Sequence, residues 1–244
     1  MNPYFAEFIA TAVLILLGNG SVANVVLKDT KGSGENLMLI TTSWALAVFA
    51  GVTIAGPYSG AHLNPAVSLG LAIAGKFAWA DVLPYIGAQM CGGFVGAVLV
   101  WAFYKKHIDR TEDKASLQAI YCTAPAIRNN YSNFFSELIA TAILILGVLY
   151  ITDGEASVSD TTIPIGLGSV GAIPVAFFVW VIGNSLGGTT GYAINPARDL
   201  APRIAHALLP MAHKGSSGWD YAWIPTLAPL ISAALVGYLF AAFQ

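Results

Sequence analysis

Charged residues are scarce in this chain: only 10% of its 244 residues are Asp, Glu, Lys or Arg, whereas 56% are hydrophobic. Soluble domains carry about 25% charged residues, so the composition excludes an ordinary soluble fold. A mean hydropathy of +0.68 and repeated apolar runs of about 20 residues instead indicate an integral membrane protein. With a net charge of −2 and no basic patch, nucleic acid is not expected as a partner.

Cysteine is equally scarce, and the pattern around it excludes several kinds of site. Cys91 lies in an apolar segment and Cys122 in a loop, at no spacing that suits a metal, and they give little support to a disulfide. The sequence contains no Ser/His/Asp set, no metal-ligand cluster and no Gly-rich phosphate loop. We therefore expect neither an enzyme nor a bound cofactor or metal.

Apolar stretches of two lengths are present. Six are long enough to cross a bilayer as helices and lie near residues 4–26, 37–57, 82–104, 133–152, 168–188 and 222–243. Two shorter ones, about 64–75 and 195–209, each begin with Asn-Pro, in which Asn suits the N-cap and Pro the first helical position. Because these two are too short to cross, we predict re-entrant half-helices that line a cavity inside the membrane.

The tripeptide Asn-Pro-Ala occurs twice, as Asn64-Pro65-Ala66 and Asn195-Pro196-Ala197, 131 residues apart. Each half of the chain holds three spans, an odd number, so the second half must be inserted upside down, as in inverted repeats. We predict one all-α membrane domain over residues 1–244, with six transmembrane helices and two half-helices. The repeats cover about 1–110 and 131–244 and are joined by a loop over 105–132.

Together with Arg198 directly after the second motif, this duplication resembles the major intrinsic protein family, the aquaporins and glycerol facilitators. The resemblance covers nearly the whole chain. Within that family, the continuation from Arg198 to Asp199 and the basic Arg203 are similar to the glycerol-facilitator (aquaglyceroporin) branch. So is Pro229-Leu230 in the last span. Water-selective members usually carry a small residue at the position of Asp199.

The resemblance implies a selectivity filter at Trp44, Gly183, Tyr192 and Arg198. Arg198 would donate hydrogen bonds to solute hydroxyls and repel cations, while Trp44 and Tyr192 would contact the carbon chain of a polyol. Water-selective members typically have His at the position of Gly183. Glycerol facilitators usually have Phe at the position of Tyr192, so this chain departs from its branch there.

Ion exclusion is expected at the two Asn-Pro-Ala motifs. Each half-helix N-terminus carries about half a positive elementary charge, and both would point at the membrane midplane. The amides of Asn64 and Asn195 would offer hydrogen-bond donors there to a neutral solute. Cations, including hydronium, would meet two positive dipole ends, a known physical means of exclusion.

Five more residues have expected supporting roles. By resemblance, Glu7 and Glu137 accept hydrogen bonds from the backbone of the re-entrant loops. Asp199 and Arg203 stand four residues apart, an attractive pair on a helix, and are predicted to brace the second half-helix. His62 is expected in a loop or vestibule rather than in a metal site, because no second ligand lies at a useful spacing.

The resemblance implies a passive channel for glycerol and other small neutral solutes, with water passing too and ions and protons excluded. Alternatives are a water-selective channel, or one whose main solute is undissociated lactic acid, urea or dihydroxyacetone. A secondary transporter would need carboxylates facing the cavity, and only Glu7 and Glu137 are available. The family's assembly would be a homotetramer in the lipid bilayer.

Orientation gives conflicting signals. The resemblance places the protein in the plasma membrane with both termini in the cytoplasm, so that loop 105–132 lies outside. Yet that loop holds five of the eleven basic residues, namely Lys105, Lys106, Arg110, Lys114 and Arg128, and basic loops usually face the cytoplasm. We follow the resemblance, because Arg198 and the second half-helix have a defined place in the family's fold.

Overall fold

The computed structural model describes residues 1–34, 36–152, 154–158 and 161–244, and its helices dominate the fold. In chain order they are α1 (Pro3–Val26), α2 (Leu37–Ser59), α3 (Pro65–Ile73), α4 (Trp79–Arg110), α5 (Lys114–Ala119), α6 (Asn130–Tyr150), α7 (Ile173–Leu186), α8 (Pro196–Leu208) and α9 (Trp223–Phe243). A 3-10 turn, Gly168–Ala172, leads into α7. Six segments of this described part are long and apolar enough to span a membrane, which confirms the predicted fold class.

The half-helices α3 and α8 begin where the two motifs predict. Asn64 Oδ1 accepts from the backbone N–H of Ala66 at 2.9 Å, and Asn195 Oδ1 accepts from that of Ala197 at 3.0 Å. At 9 and 13 residues, the helices extend only about 14–20 Å, less than the roughly 30 Å hydrocarbon core. Each half-helix is therefore too short to cross the membrane.

Each half-helix packs against a long helix of the other half of the chain. α3 lies against α9, and α8 lies against α4. Both contacts are close because a glycine faces them: a Cβ atom at Gly237 would lie 2.7 Å from the carbonyl O of Gly70, and one at Gly93 would lie 2.9 Å from that of Ala197. The two halves are thereby interlocked, and the ends of α3 and α8 meet between them.

The connection between the halves differs from the predicted loop over 105–132. α4 continues to Arg110 and α6 starts at Asn130, so the connection is shorter, and it contains α5. The apolar run ends near Phe103, but an ion pair between Lys105 and Asp109, one turn apart, carries the helix on. Arg110, at the end of α4, also forms an ion pair, with Asp29 at 2.9 Å.

A short antiparallel hairpin lies between α6 and the 3-10 turn. Strand β1 (Gly154–Val158) pairs with β2 (Thr161–Ile165), in a register that runs from Gly154 opposite Ile165 to Val158 opposite Thr161. Sequence analysis predicted no strand in this connection. The segment contains several β-branched residues, which favour the extended conformation.

Candidate functional site

A cavity of about 210 Å³ runs between the two halves of the chain. Trp44, Tyr192 and Arg198 line one end, which we call the Arg198 end. His62 also lines the cavity, next to the residues that lead into the first motif, and we call that part the His62 end. The cavity therefore passes both Asn-Pro-Ala motifs.

One wall of the cavity is apolar. It consists of aliphatic side chains from five helices and is formed by Leu14, Val48, Val52, Val67, Leu71, Leu144, Val148, Val175 and Val179. The other wall consists of the two extended segments that precede the half-helices, residues 60–64 and 192–195. A passing solute thus has carbon on one side and backbone polar groups on the other.

Left-handed backbone gives these two segments their shape. Matching residues have positive φ in both: Gly60 (77°), Ala61 (53°) and Leu63 (52°) in the first, and Gly191 (80°), Tyr192 (38°) and Ile194 (46°) in the second. Such a conformation costs a non-glycine residue about 1–3 kcal/mol and persists only where the surroundings enforce it. Four residues that are not glycine adopt it here, so the segments need strong anchors.

Two buried carboxylates supply those anchors. Glu7 accepts from the backbone N–H groups of His62 at 2.9 Å and Leu63 at 2.7 Å. Glu137 accepts from those of Ala193 and Ile194, both at 2.9 Å. Both carboxylates are fully buried, and neither lines the cavity. Their contacts fix the strained segments rather than present charge to a solute.

The two motif asparagines hold each other's segment. Asn64 Nδ2 donates to the carbonyl O of Ile194 at 2.9 Å, and Asn195 Nδ2 donates to that of Leu63 at 2.8 Å. Each amide nitrogen carries two hydrogens, so one donor per asparagine stays available to a solute in the cavity. Asn64 and Asn195 therefore combine a structural bond across the repeat with a donor at the cavity wall.

At the Arg198 end, the guanidinium and an indole lie face to face. Arg198 Cζ is 4.2 Å from the centre of the Trp44 ring, within cation–π range. Arg198 is 8% exposed, and its Nη1 has no hydrogen-bond partner among the residues the structure describes. A buried guanidinium without a full set of acceptors is prepared to donate to a solute.

Glycines make room for both aromatic rings at this end. A Cβ atom at Gly18 would lie 2.4 Å from the Trp44 ring, and one at Gly183 would lie 2.8 Å from Tyr192 Cζ. Gly187, one turn after Gly183, also underlies the Tyr192 ring, at 2.6 Å. Gly183 is not itself a lining residue: the Tyr192 ring covers it. Its expected effect on the aperture thus acts through the position of Tyr192.

Sequence reasoning missed Gly18 and Gly187. The spacing of Gly183 and Gly187 by one helical turn was a readable signal for close packing, although it did not identify the ring that packs there. Gly18 gives no such signal, because its contact with Trp44 depends on how α1 and α2 cross. The structure thus adds two glycines that lie against the rings of two predicted filter residues, Trp44 and Tyr192.

The hydroxyl of Tyr192 points away from the cavity. A Cβ atom at Gly183 would be 3.0 Å from this hydroxyl and also 3.0 Å from Thr41 Cγ2, so the hydroxyl lies between α7 and α2. It is buried and has no partner within the described residues. Towards the cavity, Tyr192 therefore presents a ring much as phenylalanine would.

Asp199 and Arg203 form a fully buried ion pair at 2.7 Å. Asp199 Oδ2 also accepts from the backbone N–H and the hydroxyl of Thr123, both at 2.7 Å. Arg203 donates in turn to the carbonyls of Thr123 and Ser217. The pair thus ties α8 to the connection between α5 and α6 and to the segment that follows α8, and neither residue lines the cavity.

Both cysteines are free thiols. Cys91 is exposed on α4, whereas Cys122 is buried next to the Asp199 and Arg203 pair. Burial, together with the negative charge of Asp199, raises the pKa of Cys122 to about 12. A thiol with so high a pKa is a poor nucleophile. Its environment is that of a packed side chain.

His62 lies against the cavity wall with its ring held on three sides. Its Nδ1 is 3.0 Å from Ser68 Oγ, and ring centres lie 4.4 Å away at Phe77 and 5.0 Å away at Tyr85. Gln89 joins the same network, since its Nε2 donates to Ser68 Oγ at 3.1 Å. The predicted vestibule position of His62 is thus a fixed place in the cavity wall.

A model of the major intrinsic protein family matches residues 1–240. The chain belongs to this family. A probable glycerol uptake facilitator protein of Thermotoga maritima is 47% identical over 240 residues, with 98% of each chain covered. The glycerol uptake facilitator protein of Streptococcus pneumoniae R6 is 46% identical over the full length of both chains.

Two further members of the major intrinsic protein family bear on the site. The X-ray structure of the aquaglyceroporin from Plasmodium falciparum superposes with a TM-score of 0.83 at 31% identity, covering 98% of this chain and 94% of that one. The D/L-lactic acid transporter of Lactiplantibacillus plantarum is 39% identical, over 100% of this chain and 98% of its own. The aquaporin fold and the aquaglyceroporin branch are thereby confirmed.

Proposed function

We propose that this protein is a passive membrane channel for glycerol and similar small neutral solutes. The observation that carries the proposal is the two-sided cavity: a wall of aliphatic side chains faces a wall of backbone polar groups, and Arg198 Nη1 adds a donor beside the Trp44 and Tyr192 rings at one end. A polyol has hydroxyls on one side of a carbon chain and suits such a wall pair. The relatives named as glycerol uptake facilitators support the same solute class.

The proposed channel excludes ions and protons by charge. The N-termini of α3 and α8 both start at the paired asparagines, so their positive dipole ends oppose a cation at that point. Arg198 adds a full positive charge at one end. No carboxylate lines the cavity in the described part of the chain, and coupling to an ion gradient therefore has no evident site there.

Purified protein in liposomes tests the channel directly. After a glycerol gradient is imposed, we expect volume recovery much faster than in protein-free vesicles, without any ion gradient. Recovery no faster than in protein-free vesicles contradicts the proposal. A water gradient imposed on the same vesicles distinguishes it from the alternative of a water-selective channel, which would pass water while retaining glycerol.

Undissociated lactic acid is a second candidate solute, and the lactic acid transporter relative favours it. Its carbon chain, hydroxyl and neutral carboxyl group suit the same pair of walls. If it passes, uptake at a fixed total concentration should rise as pH falls and follow the protonated fraction. Uptake that is independent of pH would count against this candidate.

Replacing Tyr192 with phenylalanine should leave glycerol permeability within about twofold of the parent. The hydroxyl that is lost lies between α7 and α2, so the cavity wall keeps its ring. Since a buried hydroxyl without a partner costs about 1–3 kcal/mol, stability should be unchanged or higher. Liposome flux and thermal unfolding in one detergent measure both. A tenfold loss of glycerol flux would show instead that the hydroxyl serves the solute.

Orientation and assembly complete the proposal. We propose a single channel domain with both termini in the cytoplasm of a bacterial cell and a homotetrameric assembly in the plasma membrane. The family resemblance supports the outside position of the connection between the halves, whose Arg110 and Arg128 form exposed ion pairs with Asp29 and Asp220. A reporter fused to the C-terminus and active only outside the cytoplasm would contradict this orientation.

A further inference from the structure

Behind the Tyr192 ring, a buried residue of α2 shares the space over Gly183. A Cβ atom at Gly183 would lie 3.0 Å from the Tyr192 hydroxyl oxygen and 3.0 Å from Thr41 Cγ2. The hydroxyl and this methyl group are therefore neighbours in the recess behind the ring. Thr41 is fully buried and does not line the cavity, so it can act on a solute only through residues that do, such as Tyr192.

The helical period of α2 places Thr41 beside the filter. Thr41 stands three residues before Trp44 and seven before Val48, so the three side chains share one face of the helix. Trp44 and Val48 line the cavity, whereas Thr41 lies about one turn earlier, against Gly183 of α7. The same helix thus carries the Trp44 ring and the residue next to the Tyr192 hydroxyl.

Hydrogen bonding fixes the direction of the Thr41 methyl group. Thr41 Oγ1 lies 2.6 Å from Asn184 Oδ1 on α7 and 3.1 Å from the carbonyl O of Met38, one turn back on α2. Oγ1 and Cγ2 are bonded to the same Cβ, and threonine on a helix has few rotamers, so a fixed Oγ1 also fixes Cγ2. Because Asn184 directly follows Gly183, the bond to α7 holds the methyl group against the Gly183 recess.

We propose that Thr41 is a positioning residue that sets the largest polyol the filter admits. Its methyl group limits how far the Tyr192 hydroxyl, and the ring with it, can withdraw from the passage. A longer polyol needs a wider gap beside the ring than glycerol does, so it depends more strongly on that withdrawal. The inference rests on the proposed glycerol conduction and adds to it a size limit that is set behind the cavity wall.

The ratio of erythritol to glycerol permeability in liposomes tests this role, because erythritol is one carbon longer. Thr41→Ser removes the methyl group and keeps Oγ1 for its hydrogen bonds. We expect the ratio to rise about threefold, a part of the roughly tenfold discrimination that one extra carbon meets in a tight apolar site. Thr41→Val loses the hydroxyl but keeps a methyl group at the recess, and its ratio should stay at the parent value.

Thr42 provides a matched control on the same helix. Its Oγ1 also bonds to α7, since it accepts from Trp180 Nε1 at 3.0 Å. Adjacent residues on a helix face in different directions, so Thr42→Ser removes the same methyl group on another side of α2. The ratio of erythritol to glycerol permeability should be unchanged in this variant.

A Tyr192→Phe background separates positioning from a general loosening of the helices. There the hydroxyl that meets the methyl group is gone, so Thr41→Ser should no longer change the ratio. An unchanged ratio in Thr41→Ser alone, or an equal rise in both backgrounds, overturns the inference. If Thr41→Ser does not fold, Thr41→Ala is read in the same way, because alanine also lacks the methyl group. Parent protein that passes no glycerol would refute the proposed function instead.

Discussion

Replacing Asp199 with asparagine should lower the free energy of unfolding by about 3–5 kcal/mol, the usual cost of leaving one member of a buried ion pair alone. Arg203 has no exposed surface to which its charge could turn. An asparagine also cannot satisfy both of its neighbours. One carboxylate oxygen accepts from Arg203 and the other from Thr123, so either orientation of the amide places its NH2 group against donors.

Asp220 provides a matched control for that substitution. It also pairs with an arginine, Arg128, at 2.7 Å, but its side chain is 69% exposed. Asp220→Asn should therefore cost no more than about 1 kcal/mol. Titration of both variants with SDS from mixed micelles compares the two costs. Equal, small losses would mean that the buried pair does not hold α8 to the neighbouring connections.

The helical content was predictable because both kinds of helix have a strong sequence signal. Six apolar runs set the spans, and Asn64 and Asn195 marked the starts of α3 and α8 to within a residue. Ends were less predictable where a helix leaves the membrane. α4 continues six residues past its predicted apolar run of 82–104, because the ion pairs of Lys105 with Asp109 and of Arg110 with Asp29 stabilise it there.

The site was predictable where one residue carries the chemistry itself. The positions of Arg198 and the two motif asparagines follow from the motifs and their repetition. The glycine recesses under Trp44 and Tyr192 were not predictable, because they depend on the crossing of helices that are distant in sequence. The direction of the Tyr192 hydroxyl also depends on that packing, so the sequence left its contribution open.

The glycine recess under the Tyr192 ring leads to the largest effect that we expect on glycerol permeability. Replacing Gly183 with alanine should reduce glycerol permeability at least about tenfold. The new Cβ would lie 2.8 Å from Tyr192 Cζ, inside normal contact, and the backbone of Gly187 underlies the same ring one turn on. We expect the ring to yield towards the cavity that it lines. Since close-packed interiors feel even one added methyl group, a shift of this kind narrows the passage.

A second glycine and a second substitution make this prediction specific. Gly87→Ala adds the same methyl group to α4, where no atom lies within 4 Å, and should leave glycerol flux unchanged. Adding Tyr192→Ala to Gly183→Ala removes the displaced ring and should restore glycerol flux while weakening discrimination among solutes of different size. Water, being smaller, should lose less than glycerol in Gly183→Ala. Full glycerol flux in that variant would mean that the Tyr192 ring moves away from the passage, and that Gly183 does not set its width.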